Sequence, residues 1–106
     1  MVWFLTACAS FSGPGAGNEI TRQISLFYEN PLATTVCVVG SFNGWTIGAD
    51  PFVKVGEGEW KGTLRLPEGV YPYMYVVNGK TWVTDPKARR VLDDGFGRIN
   101  GLLVVE

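Results

Sequence analysis

The sequence predicts an all-β domain that folds as a two-layer antiparallel sandwich of about seven short strands. From Glu19 onward, apolar residues alternate with polar ones, which is the period of a strand with one buried face. No apolar stripe at helical spacing is long enough to predict a helix, and turn residues separate the alternating runs. A chain of 106 residues, 46% of them hydrophobic, has the size and composition of one domain with its own core.

The first two predicted strands differ in pattern. Residues 20–28 alternate apolar and polar side chains until Asn30-Pro31 ends the run, because proline cannot donate a hydrogen bond to a sheet. Residues 34–40 are instead rich in the β-branched side chains that favour strands. Cys37 lies inside this second strand and is predicted to be a small buried side chain.

A hairpin is predicted next. Residues 52–55 and 60–66 are joined by a glycine-rich turn, and they carry apolar and polar side chains on opposite sides. Trp60, Leu64 and Leu66 share one side of the second strand and are predicted to face the core. The other side of the hairpin is predicted to face water.

Asn78-Gly79 is the strongest turn signal in the chain. A two-residue hairpin turn needs positive φ at both central positions, and asparagine and glycine accept that conformation most readily. The turn is predicted to join a strand over residues 70–77 to a returning strand over residues 80–83. The rest of the chain is predicted as a polar loop over residues 84–98 and a last apolar strand over residues 99–105.

Residues 1–18 are predicted to be separate from the sandwich, which is assigned to residues 19–106. Leu-Thr-Ala-Cys at residues 5–8 resembles a bacterial lipobox, in which Cys8 would be the lipidated residue. The positive start and the longer apolar run of a secretory signal are missing, so a frayed terminus is the alternative. Residues 10–18 have the composition of a flexible linker. A genuine lipobox would imply the cell envelope or an extracellular location; otherwise the cytoplasm is expected.

Composition excludes several classes of function. Nine basic and ten acidic residues give a net charge of -1, which argues against nucleic acid as a partner. The chain has no histidine, which excludes Ser-His-Asp and Cys-His catalysis and histidine zinc sites. Cys8 and Cys37 allow at most one disulfide and are too few for a zinc site. We therefore expect no cofactor and no metal.

Residues 39–45, Val-Gly-Ser-Phe-Asn-Gly-Trp, resemble the glycogen-binding module of the AMP-activated kinase beta subunit. This module belongs to carbohydrate-binding module family 48, together with the N-terminal domains of isoamylases and branching enzymes. The resemblance implies an immunoglobulin-like, early-set sandwich and α-glucan binding. Further matching segments follow in the family's order at residues 66–69, at Tyr73 and Tyr75, and at residues 77–79, 82–86 and 97–100.

The resemblance also implies a set of site residues. Trp45 and Trp82 match the two tryptophans on which the family's glucan lies, and Asn100 matches its asparagine. Met74 stands where the family has a lysine, which removes a donor to sugar hydroxyls. Phe96 matches an apolar residue that reaches into the ring of the glucan. With Lys80, the candidate carbohydrate-binding residues are Trp45, Trp82, Asn100, Phe96, Lys80 and Met74.

The chemistry of sugars supports the same residues independently of the family. A sugar presents apolar C–H faces and a rim of hydroxyls, so it needs flat exposed aromatic rings and nearby polar groups. Trp45 and Trp82 lie outside the middle of apolar strands, and Asn100 and Lys80 offer polar groups. Arg98 replaces a smaller polar residue of the family. The alternative is that each tryptophan closes one end of the sandwich.

Catalysis is not expected. Glycoside hydrolysis needs two carboxylates about 5 to 10 Å apart in a cleft. Glu57 and Glu59 flank a hairpin glycine, and Asp85, Asp93 and Asp94 have the surroundings of turn residues, so a turn or solvent accounts for each acid. The sequence therefore predicts a non-catalytic α-glucan-binding module.

Two alternatives remain open at this point. The domain could be a protein-interaction or regulatory module that kept the fold and lost the sugar, with an apolar patch formed by Met74, Tyr71 and Tyr73. It could also be an accessory fragment of a glucan-processing enzyme. Under these readings the partner is an α-glucan or a protein, and a membrane is reached only through a lipid on Cys8.

Overall fold

The computed structural model describes residues 20–106, and strands account for most of them. They form two antiparallel sheets packed as an immunoglobulin-like sandwich, so the predicted all-β class is confirmed. No helix among these residues is long and apolar enough to cross a membrane. The strands are β1 (Thr21–Glu29), β2 (Val36–Gly40), β3 (Asp50–Pro51), β4 (Val53–Gly56), β5 (Glu59–Pro67), β6 (Gly69–Val77), β7 (Thr81–Val83), β8 (Val91–Asp93) and β9 (Ile99–Val105).

Strand β6 organises the larger sheet. The order is β3-β2-β6-β9-β8, with β7 also paired to β6, whereas the smaller sheet has the order β1-β5-β4. β9 pairs with β6 from Gly69 to Tyr73, and β7 pairs with β6 from Tyr75 to Val77. One edge of β6 is therefore shared between β9 and β7, while β2 covers the opposite edge from Tyr73 to Val77.

The core lies between the two sheets, and period-two alternation supplies it. Trp60 is only 6% exposed, and its Nε1–H donates to the carbonyl of Asn30 at 3.2 Å, which confirms it as a core residue. The other buried members of this cluster are Leu26, Tyr28, Val36, Val38, Phe52, Leu64, Leu66, Tyr73, Tyr75, Val77 and Val105.

A buried carboxylate lies at the end of this core. Asp85 lies at a turn, as predicted, since its carbonyl accepts the N–H of Ala88 at 3.1 Å, but at 6% exposure its side chain is buried and does not face solvent. Its Oδ2 accepts hydrogen bonds from the hydroxyls of Tyr73 at 2.5 Å and Tyr75 at 2.9 Å. Its Oδ1 accepts the backbone N–H of Lys87 at 2.8 Å. A buried carboxylate is tolerated when its oxygens are satisfied in this way.

Burial and the neighbouring carboxylate change the pKa of both tyrosines. Burial raises the pKa of Tyr73 above its ordinary value of about 10, and the hydrogen bond to Asp85 raises it further. Burial also raises the pKa of Tyr75, and the charge of Asp85 is the next largest cause. Both phenols therefore keep their protons in the folded state at a pH where exposed tyrosines lose them.

Two strands differ from the sequence prediction. β8 lies inside residues 84–98, for which the sequence predicts a loop. All three residues of β8 are exposed, so the strand has no buried face that an alternating apolar pattern could reveal. β3 consists of Asp50 and Pro51 alone and pairs with Cys37 and Val38. Only tertiary pairing creates such short strands.

Three further predictions concern the Asn78-Gly79 turn, Cys37 and residues 1–18. The Asn78-Gly79 turn is confirmed, with φ of 56° and 77°. Cys37 is buried in β2, as predicted. The predictions for residues 1–18, including the lipidation of Cys8, lie outside the described residues.

Replacing the buried carboxylate should destabilise the fold. Asp85→Ala leaves two buried tyrosine hydroxyls without an acceptor, and we expect a loss of about 3 kcal/mol in the free energy of unfolding. Urea denaturation followed by circular dichroism measures it. Asp93→Ala is the control, because this exposed carboxylate only accepts the N–H of Gly95. Equal stability of the two variants would contradict the role assigned to Asp85.

Stability should also fall at alkaline pH. In the unfolded chain Tyr73 and Tyr75 ionise near pH 10, while in the folded protein their raised pKa values keep them protonated. The unfolded state therefore binds fewer protons above about pH 10, and the free energy of unfolding decreases as the pH rises through that value. Below it these groups add no pH dependence. Urea midpoints between pH 8 and pH 11.5 test this; Tyr75→Phe should flatten the decline.

Candidate functional site

A second apolar cluster lies on the outer face of the larger sheet, away from the core. Cys37 and Val39 of β2 and Met74 and Val76 of β6 are all buried there, each at most 7% exposed. Successive strand residues point to opposite faces, so these four alternate with side chains that enter the core. β2 and the second half of β6 are thus apolar on both faces. The apolar side chains on the outer face therefore need other side chains to shield them from water.

Trp45 and Trp82 provide this cover. Both side chains are half-buried and pack against the outer cluster. Their ring centroids lie 6.5 Å apart and their planes differ by 25°. A sugar ring inserted between two parallel rings needs about 3.5–4 Å on each side, or about 7–8 Å in total. The two indoles are therefore adjoining parts of one surface, and a ligand can contact them only from outside the pair.

Trp45 is held in an unusual backbone conformation. Gly44 and Trp45 both have positive φ, 65° and 59°, which is uncommon for a bulky residue such as tryptophan. The N–H of Trp45 donates to the carbonyl of Gly40 at 2.9 Å and ties the loop back to β2. Strained positions of this kind persist where the surrounding contacts enforce them.

Asn43 enforces this loop geometry. Its Oδ1 accepts the N–H of Gly40 at 3.1 Å, and its Nδ2 donates to the carbonyl of Val38 at 3.1 Å and to Asp50 Oδ2 at 2.8 Å. The asparagine in the Ser-Phe-Asn-Gly-Trp string is therefore a structural clamp that orients Trp45.

Trp82 is positioned by sheet pairing. It lies in β7 directly opposite Val76 of β6, which places its ring over the outer cluster. The guanidinium carbon of Arg98 lies 4.3 Å from the centre of its ring, a cation–π contact. One face of Trp82 is thereby occupied by Arg98.

Of the other predicted site residues, Asn100 lies on the outer face of the larger sheet, whereas Phe96 and Lys80 lie in an exposed loop and an exposed turn. Asn100 is 8% exposed, and the register that pairs Tyr73 with Gly101 puts it beside Met74 on the outer face. Phe96 is 90% exposed, in the loop between β8 and β9. Lys80 is exposed in the turn before β7, and among residues 20–106 it makes no cation–π contact with either tryptophan.

The loop that carries Phe96 and Arg98 is braced by one carboxylate. Asp94 Oδ1 accepts the backbone N–H of Phe96 at 2.7 Å and that of Arg98 at 3.1 Å. Asp94 N–H donates to the carbonyl of Arg98 at 3.0 Å. This acid therefore organises the loop backbone.

The predicted apolar patch of Met74, Tyr71 and Tyr73 does not form. Tyr73 is buried in the core, and Tyr71 packs against the core with its hydroxyl donating to the carbonyl of Pro67 at 2.6 Å. Met74 lies on the opposite face of β6, under the tryptophans. Alternation along one strand separates these side chains, so the prediction was wrong.

Sequence reasoning also missed part of the site. Val39 and Val76 support the tryptophans from below, and their signal was the continuous apolar runs around them, which indicate strands buried on both faces. The sequence shows Arg98 only as the replacement of a smaller polar residue of the family. Its contact with Trp82 depends on the fold.

The part of the sequence that forms this face matches the model of a known family. The family model described as the glycogen recognition site of AMP-activated protein kinase matches residues 25–106, from β1 to the end of β9. The chain belongs to this family. It is also similar to the protein FLOURY ENDOSPERM 6, chloroplastic, of Oryza sativa subsp. japonica, with 34% identity over 84 residues. That match covers 79% of this chain and 15% of the rice protein, so the chain spans only a small part of that relative.

Residues 20–106 contain no candidate metal site. Among the residues that the structure describes, no three histidine, cysteine, aspartate or glutamate side chains are grouped so that they could hold an ion.

Proposed function

We propose that this domain is a non-catalytic α-glucan-binding module whose ligand lies across the outer face of the larger sheet. The observation that carries the proposal is the pair of adjoining indoles, Trp45 and Trp82, supported from below by a buried apolar cluster. Membership of a glycogen-recognition family supports the same ligand class. Rigid aromatic surface at the edge of solvent suits the apolar faces of glucose units.

Each residue has a proposed role. Trp45 and Trp82 stack on sugar faces, Asn100 offers its amide to hydroxyls, and Phe96 makes an apolar contact from its exposed loop. Met74 supports the indoles and offers no donor, because a thioether has no proton to give. A site this shallow should bind weakly, with a Kd on the order of mM to µM.

Lys80 also has a role in this proposal. It lies in the turn after Asn78, whose Oδ1 accepts the N–H groups of Thr34 and Thr35 at 2.7 and 3.2 Å and anchors the turn. Lys80 is exposed in this anchored turn and is assigned a contact with hydroxyls of a glucan that reaches the turn.

Three acids between β7 and β9 have structural partners, which supports a non-catalytic role. Asp94 is engaged by the backbone of its own loop, and Asp93 accepts the N–H of Gly95 at 2.8 Å. Asp85 is buried against the core tyrosines. Each of these carboxylates thus has a structural partner that accounts for its presence without a role in hydrolysis.

Removing either indole should weaken glucan binding. We expect Trp45→Ala and Trp82→Ala each to raise the Kd for β-cyclodextrin about tenfold, equivalent to about 1.4 kcal/mol, because stacking area is lost. Isothermal titration calorimetry measures it, and glycogen retention in native gels provides a second readout. Phe27→Ala is the matched control: Phe27 is 49% exposed on the smaller sheet. Unchanged affinity in both tryptophan variants, or no binding by the parent at millimolar sugar, would refute the proposal.

Arg98 should oppose binding. A sugar stacked on the occupied face of Trp82 needs the position that the guanidinium holds at 4.3 Å. An exposed cation–π contact is worth about 0.5–1 kcal/mol, so we expect Arg98→Ala to lower the Kd about two- to fivefold. Arg65→Ala, on the outer side of β5, is the control. A higher Kd for Arg98→Ala would instead show that Arg98 donates to the sugar.

A further inference from the structure

Strand β1 has a long unpaired edge. It is the outermost strand of the smaller sheet, and each of its nine residues pairs with β5 on one side only. Among residues 20–106 no strand covers the other side. In an antiparallel strand, alternate residues direct their N–H and C=O groups away from the partner. β1 therefore presents a regular row of backbone donors and acceptors.

The other outer strands of the described fold are poor templates by comparison. β3, β4, β7 and β8 contain two, four, three and three residues. β3 contains Pro51, and the register of β4 shifts between Lys54 and Gly56. Short, bulged or proline-containing edges are how proteins avoid unwanted strand pairing. β1 lacks these protections.

A groove runs along the same edge. A cavity of about 590 Å³ has residues 25–27 of β1 on one side, residues 102–104 of β9 on another, and residues 87–90 of the preceding loop on a third. Consecutive strand residues point to opposite faces, so three in a row can line one cavity only at the edge of their strand. The groove and the unpaired backbone are thus one surface.

Charge indicates what would fit there. Lys87, Arg89 and Arg90 line the groove and are all exposed. The two carboxylates at the groove are Glu106 and the buried Asp85, which is already engaged by Tyr73, Tyr75 and the backbone of Lys87. Positive charge therefore prevails on the accessible surface, and it complements an acidic ligand.

We propose that β1 accepts an extended acidic peptide segment of a protein partner as an added strand. Main-chain hydrogen bonds to β1 provide the pairing, and alternate acidic side chains of the segment lie near Lys87, Arg89 and Arg90. None of these residues belongs to the tryptophan face, so the site is independent of glucan binding and both ligands can be held together.

Two labelled peptides test this with the full chain. The probe is an eight-residue peptide of alternating glutamate and valine, and its counterpart replaces glutamate with lysine. Fluorescence anisotropy should show saturable binding of the acidic peptide, weakening as salt is raised, and at least tenfold weaker binding of the lysine peptide. Hydrogen exchange followed by NMR should show new protection at alternate β1 amides. No acidic-peptide binding at millimolar concentration, equal binding of both peptides, or binding without β1 protection would overturn the proposal.

Charge reversal provides the matched variants. Arg89→Glu combined with Arg90→Glu should raise the Kd of the acidic peptide at least tenfold and leave β-cyclodextrin binding unchanged. These side chains are exposed, and the carbonyl of Arg90 that accepts Leu102 N–H at 2.8 Å is retained, so the fold should persist. Lys54→Glu is the control, because Lys54 is exposed on β4, at the opposite edge of the smaller sheet from β1. A concentration-dependent dimer with the same β1 protection and no peptide would assign the edge to a second copy instead, which would overturn the acidic-peptide proposal.

Discussion

Strand β6 supplies side chains to two apolar layers at once, and both the core and the tryptophan face depend on it. Tyr73 and Tyr75 enter the core and engage Asp85, while Met74 and Val76 form the floor beneath the indoles. Shifting β6 by one residue relative to its neighbours would exchange these two sets. Correct pairing of β6 is therefore required for stability and for the candidate site alike.

The two indoles are held by different means. Trp82 belongs to a strand and is positioned by pairing with β6. Trp45 belongs to a loop with positive φ at its own position, and the hydrogen bonds of Asn43 maintain that loop. A rigid aromatic surface loses little conformational entropy when a ligand binds, which matters for a site without deep walls. Arg98 reaches this face from the loop between β8 and β9, and its side chain rests on Trp82.

The tryptophan face and the β1 groove use different physics. The first offers aromatic area to a ligand with apolar faces, whereas the second offers unpaired backbone and positive charge to a polypeptide. Because the two surfaces share no residues, the two proposals do not conflict in one domain.

Local patterns in the sequence determined most strands, the Asn78-Gly79 turn and the burial of Trp60, because alternation and turn chemistry act over a few residues. The resemblance around residues 39–45 also identified Trp45 and Trp82 as candidates. Only the tertiary structure decided that Asp85 is buried against two tyrosines, that β8 pairs with β9 and that Arg98 covers Trp82. These features depend on which strands meet and in what register. That is set by long-range packing, and the residues involved carry no local signal of it.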